Sequence, residues 1–96
     1  AEDEVNFKSK IIEWSQKYRL QLEFVLLSEE LNSSNKHIFQ TQLNIEGKII
    51  FEATGFSKKE SQQNVSYKAL QEINSNPNFI AELIVVSDQN SSDIEN

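Results

Sequence analysis

The chain has 96 residues, no cysteine, one histidine and a formal net charge of −6. That length supports one modest hydrophobic core, the missing thiols exclude disulfides and thiolate metal sites, and a single imidazole excludes most zinc chemistry and any histidine-based triad. No apolar run approaches a membrane span and the acidic start does not read as a signal peptide, so the expectation is a soluble cytoplasmic protein with no membrane partner.

Residues 1–5 read as a flexible acidic lead-in. From Asn6 to about Tyr18, the residues Phe7, Ile11, Trp14 and Tyr18 recur at intervals of four, three and four, the spacing of one helical face, with Asn6 placed to cap it. Ser9, Glu13 and Gln16 repeat the spacing on another face. They form either the wet side of an amphipathic helix or a polar binding edge, and periodicity does not choose between the two. Ile12 is left over by the apolar stripe and is expected to be exposed.

Leu20 to Leu27 has extended character, with Leu22, Phe24 and Leu26 facing one way, and Ser28 to Lys36 is predicted to be a polar loop. His37 to Ile45 sets Phe39, Thr41, Leu43 and Ile45 against Gln40, Gln42 and Asn44, the alternation of a strand with one buried face. Glu46-Gly47 supplies a tight turn, the glycine accepting the positive φ that such a turn requires. Lys48 to Thr54 returns as a third strand, ended by Gly55.

Ser57 followed by Glu60 has the spacing of a capping box. A helix from Lys58 to about Ile73 then offers Ser61, Val65, Ala69, Leu70 and Ile73 to the core, its small side chains allowing close approach to a sheet. Lys58 and Lys59 fall in its first turn, where the helix dipole disfavours a cation by roughly 0.3–1 kcal/mol. Two ammonium groups beside free N–H groups make an anion site, with phosphate the obvious ligand; a solvated charged turn is the plainer alternative. Asn74 to Asn78, which includes the sole proline, is expected to end the helix. Phe79 to Val86 is an apolar burst that reads as an extra turn of helix or a strand, and the last ten residues have the Ser-, Asp- and Asn-rich composition of a mobile tail.

All nine basic residues lie between Lys8 and Lys68, and within residues 5–80 they face eight acids. The middle of the chain therefore carries one net positive charge, and the acidity belongs to the ends. Such a footprint binds a polyanion modestly and with steep salt dependence. Each helix has one apolar stripe, so both must cover the same face of the sheet. The expected class is α+β in the order α-β-β-β-α, two helices packed on one face of a three-stranded antiparallel sheet.

That order, with "NFKSKIIEWSQKY" as first helix, "IEGK" at the hairpin and "GFSKKESQQNVSYKAL" opening the second helix, resembles the double-stranded RNA-binding domain. It is most similar to the version at the C-terminal end of bacterial ribonuclease III. The resemblance covers about residues 5–74 and divides the chain into the lead-in over 1–5, a binding domain over 6–74 and a partly disordered C-terminal extension over 75–96.

The resemblance implies recognition of duplex RNA by shape, through three regions that touch two successive minor grooves and the major groove between them over about 16 base pairs. It implies that Ser9, Glu13 and Gln16 meet 2′-hydroxyls, which DNA lacks. Ser57, Lys58 and Lys59 would stand over the major groove and hold phosphates on either side, and Gln62 occupies the place where the family often has a third lysine. Asn35 and the adjoining Lys36 would reach the second minor groove. There the family usually reads Gly-Pro-any-His, whereas this chain reads Asn32-Ser33-Ser34-Asn35, with His37 expected at a strand edge. Ala53 replaces a usual glycine, and Phe56 stands where a polar or basic residue is common.

Ribonuclease III cuts RNA with magnesium held by a separate helical domain, whose acidic signature does not occur here; two metals must be clamped about 3.5–4 Å apart for that chemistry. The expectation is therefore a chain without a catalytic site or cofactor of its own. Its parent would be a magnesium-dependent, double-strand-specific bacterial endoribonuclease active in ribosomal RNA processing and able to dimerise through its other domain. The alternative is a divergent domain of the same fold used for protein–protein contact or dimerisation, favoured by the near-neutral middle, the altered loop and the apolar Phe79–Val86 segment.

Overall fold

The computed structural model describes residues 6–76 and residue 78. The lead-in over 1–5, the Phe79–Val86 segment and the acidic tail lie outside the described residues. Asn6 takes an extended conformation and its Oδ1 accepts the Ser9 N–H at 3.1 Å, opening helix α1 (Phe7–Lys17). Past Tyr18 the backbone turns through Arg19, which adopts a left-handed φ of 58°, and the Leu20 N–H returns to the Ser15 carbonyl at 2.8 Å. Three antiparallel strands follow in the order β1 (Leu22–Leu31), β2 (His37–Ile45) and β3 (Ile49–Gly55), and then helix α2 (Lys58–Ser75).

The strand β1 is longer than its composition suggests. Ser28, Glu29, Glu30 and Leu31, expected in the loop, pair with Gln40, Phe39, Ile38 and His37. A register shift between Leu26 and Ser28 interrupts the ladder. An irregularity of this kind breaks the period-two alternation by which a strand is recognised. Because β1 is an edge strand with one solvated face, polar residues cost little there. The loop proper is only Asn32–Lys36.

The core consists of Ile11, Leu20, Leu43, Ile45, Val65, Ala69 and Ile73. Helix α2 lies directly on β2 and β3, and α1 packs beside α2. Ile12, expected to be exposed, is half-buried against this core, as are Trp14, Tyr18 and Leu70. Two buried serines escaped the apolar pattern: Ser15 and Ser66 donate their hydroxyl protons to the Ile12 and Gln62 carbonyls, each at 2.7 Å. A hydroxyl bonded to its own helix is buried without an unsatisfied donor.

The far face of the sheet is largely polar, with Gln40 Nε2 donating to the Glu52 carboxylate at 3.0 Å and Ile50 exposed among the polar side chains. The β3 edge is covered by α2, since Asn64 Nδ2 donates to the Thr54 carbonyl at 2.8 Å and Lys68 Nζ to the Glu52 carbonyl at 3.1 Å. These side chains occupy acceptors that would otherwise template another strand. At the β2–β3 turn both Glu46 and Gly47 are left-handed, at φ 59° and 68°. The Glu46 conformation is held by Gln21, whose N–H donates to the Glu46 carboxylate at 2.6 Å while its carbonyl accepts the Glu46 N–H at 2.9 Å. No helix among the described residues is long and apolar enough to cross a membrane.

Candidate nucleic-acid interface

The tip of α2 is built by its cap. Ser57 is extended, its Oγ accepts the Glu60 N–H at 3.0 Å and its carbonyl accepts the Ser61 N–H at 3.0 Å. The return bond of the expected capping box is displaced by one residue: the Glu60 carboxylate accepts the Phe56 N–H at 2.6 Å. Both ends of the turn that carries Lys58 and Lys59 are thereby tied to the chain that enters it. Gly55 is buried beneath this turn, and a Cβ there would lie 2.5 Å from the Ser61 nitrogen. The two lysines are exposed, and neither pairs with an acid among the described residues. Their charge adds to the positive end of the helix dipole, with Glu60 as the one acid in the first turn.

Ser9, Glu13 and Gln16 are all exposed on α1 and span about 10 Å of helix. Their distance from the α2 tip is set by Lys8. The Lys8 N–H donates to Gln63 Oε1 and its ammonium to Gln62 Oε1, both at 2.9 Å, while the same ammonium lies 5.2 Å from the centre of the Phe24 ring. Gln62, which stands where the family often has a third lysine, is half-buried and bonded to α1. The opening turn of α1 thus abuts α2 one turn beyond Lys58 and Lys59.

The β1–β2 loop reaches the helix tip from the other direction. Asn35 is left-handed, at φ 62°, and the Lys36 ammonium lies 5.7 Å from the centre of the Phe56 ring. Phe56 is 60% exposed and directly precedes the Ser57 cap. His37 begins β2, with Nδ1 3.3 Å from the Glu29 carboxylate and its ring stacked on Phe39. It sits at the strand edge, as expected.

Of the nine candidate residues, Ser57, Lys58, Lys59 and Gln62 share the first two turns of α2, and Ser9 adjoins them through Lys8. Asn35 and Lys36 adjoin them through Phe56. Glu13 and Gln16 continue the α1 edge away from this junction. Three residues that join these elements lie outside the nine candidates: Lys8, Phe56 and Asn32, which organises the loop. Only Asn32 carried a local signal, because an asparagine opening a polar loop favours a side chain-to-backbone turn. Among the described residues no group of three histidines or acids could hold a metal ion.

A family model described as "Double-stranded RNA binding motif" matches residues 7–73. The chain is 46% identical over 88 residues to Ribonuclease 3 of Bacteroides fragilis, covering 92% of this chain and 30% of that protein. It is 47% identical over 70 residues to Ribonuclease 3 of Bacteroides thetaiotaomicron, covering 73% of this chain and 22% of that protein. It is 43% identical over 77 residues to Ribonuclease 3 of Phocaeicola vulgatus, covering 80% and 25% respectively. The chain therefore spans less than a third of the length of these relatives.

Proposed function

Because the chain belongs to the double-stranded RNA binding motif family, we propose that it binds duplex RNA by shape, as the RNA-holding module of a ribonuclease III-type endoribonuclease. The observation that carries this is the contact of Lys8 with Gln62 and Gln63, which sets the α1 edge beside the lysine-bearing tip of α2. In this arrangement Ser9, Glu13 and Gln16 exchange hydrogen bonds with 2′-hydroxyls in one minor groove. Lys58 and Lys59 neutralise phosphates across the major groove, a contribution independent of sequence. Asn35 and Lys36 meet the next minor groove. Ser57 and Gln62 act mainly by holding the lysines and the α1 edge in place, since the oxygen of each is already engaged within the protein.

Cleavage belongs to the remainder of such a parent. In that parent the resemblance places the magnesium ligands in a separate helical domain, and the role proposed for this chain is to hold the duplex. The parent would act on structured RNA such as ribosomal precursors in the bacterial cytoplasm, as a dimer formed outside this domain.

A gel-shift titration with duplex RNA, duplex DNA of the same sequence and single-stranded RNA tests the binding reading. Duplex RNA alone should be retained at moderate salt, and affinity should fall steeply as salt rises. Equal retention of duplex DNA would overturn it. A second reading, contact with another protein, draws on Leu26, Leu27 and Leu31, which are exposed along β1. A stable dimer in solution with no duplex binding would favour that one.

A further inference from the structure

The loop Asn32–Lys36 has no proline to stiffen it, yet it is closed by four hydrogen bonds that all involve one residue. Asn32 Oδ1 accepts the Ser34 N–H at 2.8 Å and the Lys36 N–H at 3.0 Å. The Asn32 N–H donates to the Lys36 carbonyl at 2.9 Å, and the Asn32 carbonyl accepts the Asn35 N–H at 3.0 Å. This is an Asx turn inside a tight hairpin loop, in which a side-chain oxygen takes the role of a backbone carbonyl. It leaves Asn35 at the tip in the left-handed conformation, which asparagine tolerates better than most residues. The far end of the loop rests on the helix tip through Lys36 and Phe56.

We propose that Asn32 is the positioning residue of the second contact region: its carboxamide oxygen holds the loop closed so that the Asn35 side chain and the Lys36 ammonium are presented together to a second minor groove. This rests on the duplex reading above and goes beyond it, because it assigns the reach of the loop to one side-chain atom that itself touches no RNA. A loop closed in advance does not have to be ordered when the duplex arrives, so less binding energy is lost on contact.

Two RNA lengths separate this role from a purely structural one. A duplex of about 20 base pairs offers both minor grooves, whereas one of about 10 offers a single groove and cannot reach the loop while it occupies α1. Binding of each to the wild-type chain, to Asn32→Ala and to Asn32→Ser should be measured at one salt concentration, alongside thermal melting. Asn32→Ala removes the acceptor and should weaken binding to the long duplex by roughly five- to thirty-fold, leaving the short duplex and the melting temperature nearly unchanged. Asn32→Ser keeps a side-chain oxygen able to accept the same turn bonds, adds no charge to repel the RNA, and should recover part of the loss. Equal loss on both lengths, no loss on the long duplex, or a serine variant as weak as the alanine variant would overturn the assignment. Wild-type protein that holds the two lengths equally well would instead overturn the two-groove reading, and the role of Asn32 with it.

Discussion

The hydroxyls of Thr41 and Ser61 meet 2.6 Å apart in the buried layer between β2 and α2. A third atom sets the direction of that bond. Ser61 Oγ donates to the Lys58 carbonyl at 2.8 Å, so its single proton is committed and Thr41 is the donor. The two obvious substitutions are therefore not equivalent. Thr41→Val removes a donor and leaves the Ser61–Lys58 bond intact, at an expected cost of about 0.5–1.5 kcal/mol. Ser61→Ala strands a buried threonine hydroxyl and should cost about 1–3 kcal/mol. Urea denaturation of both variants checks the order.

Lys58 and Lys59 lie in the first turn that Ser61 braces. Replacing both with alanine removes charge without touching the core, so the melting temperature should hold while duplex RNA affinity falls. The logarithm of the binding constant should also fall less steeply with the logarithm of salt, by about 0.9 for each phosphate that is no longer neutralised, taking the duplex DNA slope as a guide. Titrations at several salt concentrations measure this slope. An unchanged affinity would remove these lysines from the binding surface.

Gly55 is required by proximity. The Cβ of an alanine would meet the Ser61 nitrogen at 2.5 Å and the Glu60 carbonyl carbon at 2.9 Å, and both are backbone atoms that cannot rotate aside. Gly55→Ala should destabilise the fold by about 1–3 kcal/mol through forced displacement of the α2 tip. Calorimetric unfolding would read the loss, and binding to duplex RNA should weaken with it, because the displaced turn is the one that carries the lysines.

Glu13 is an exposed carboxylate on a surface proposed to meet a polyanion, which is unfavourable unless it accepts a hydrogen bond there. Glu13→Ala should therefore reduce affinity for duplex RNA by roughly tenfold, the scale of a hydrogen bond to a charged group. Its residual affinity for duplex DNA should be unchanged or slightly higher. Parallel titrations of the two duplexes would detect the narrowed ratio. A gain in RNA affinity would show that the carboxylate only repels.

Most elements were legible because their signals are local. Phe39, Thr41, Leu43 and Ile45 announce a half-buried strand by alternation, and Thr41, Leu43 and Ile45 are buried. Asn6 and Ser57 announce the two helix starts, and both cap. Glu46-Gly47 announces the hairpin, and both residues are left-handed. The extent of β1 was not legible, because the irregularity between Leu26 and Ser28 disrupts the alternation that identifies a strand. The exposed stripe of Ser9, Glu13 and Gln16 was visible as a pattern, but pattern alone did not distinguish a binding edge from a wet face.

By itself the sequence determined most of the apolar residues that turn inward and where the two helices begin, since burial periodicity and capping depend on neighbours within a few positions along the chain. Only the tertiary structure decided what lies across from what. Lys8 finds Gln62 across 54 positions, Thr41 finds Ser61 across 20, and Lys36 comes to rest over Phe56. Such pairings arise from the stacking of helices on a sheet, and a polar side chain seeking a distant partner leaves no periodic trace in the order of residues.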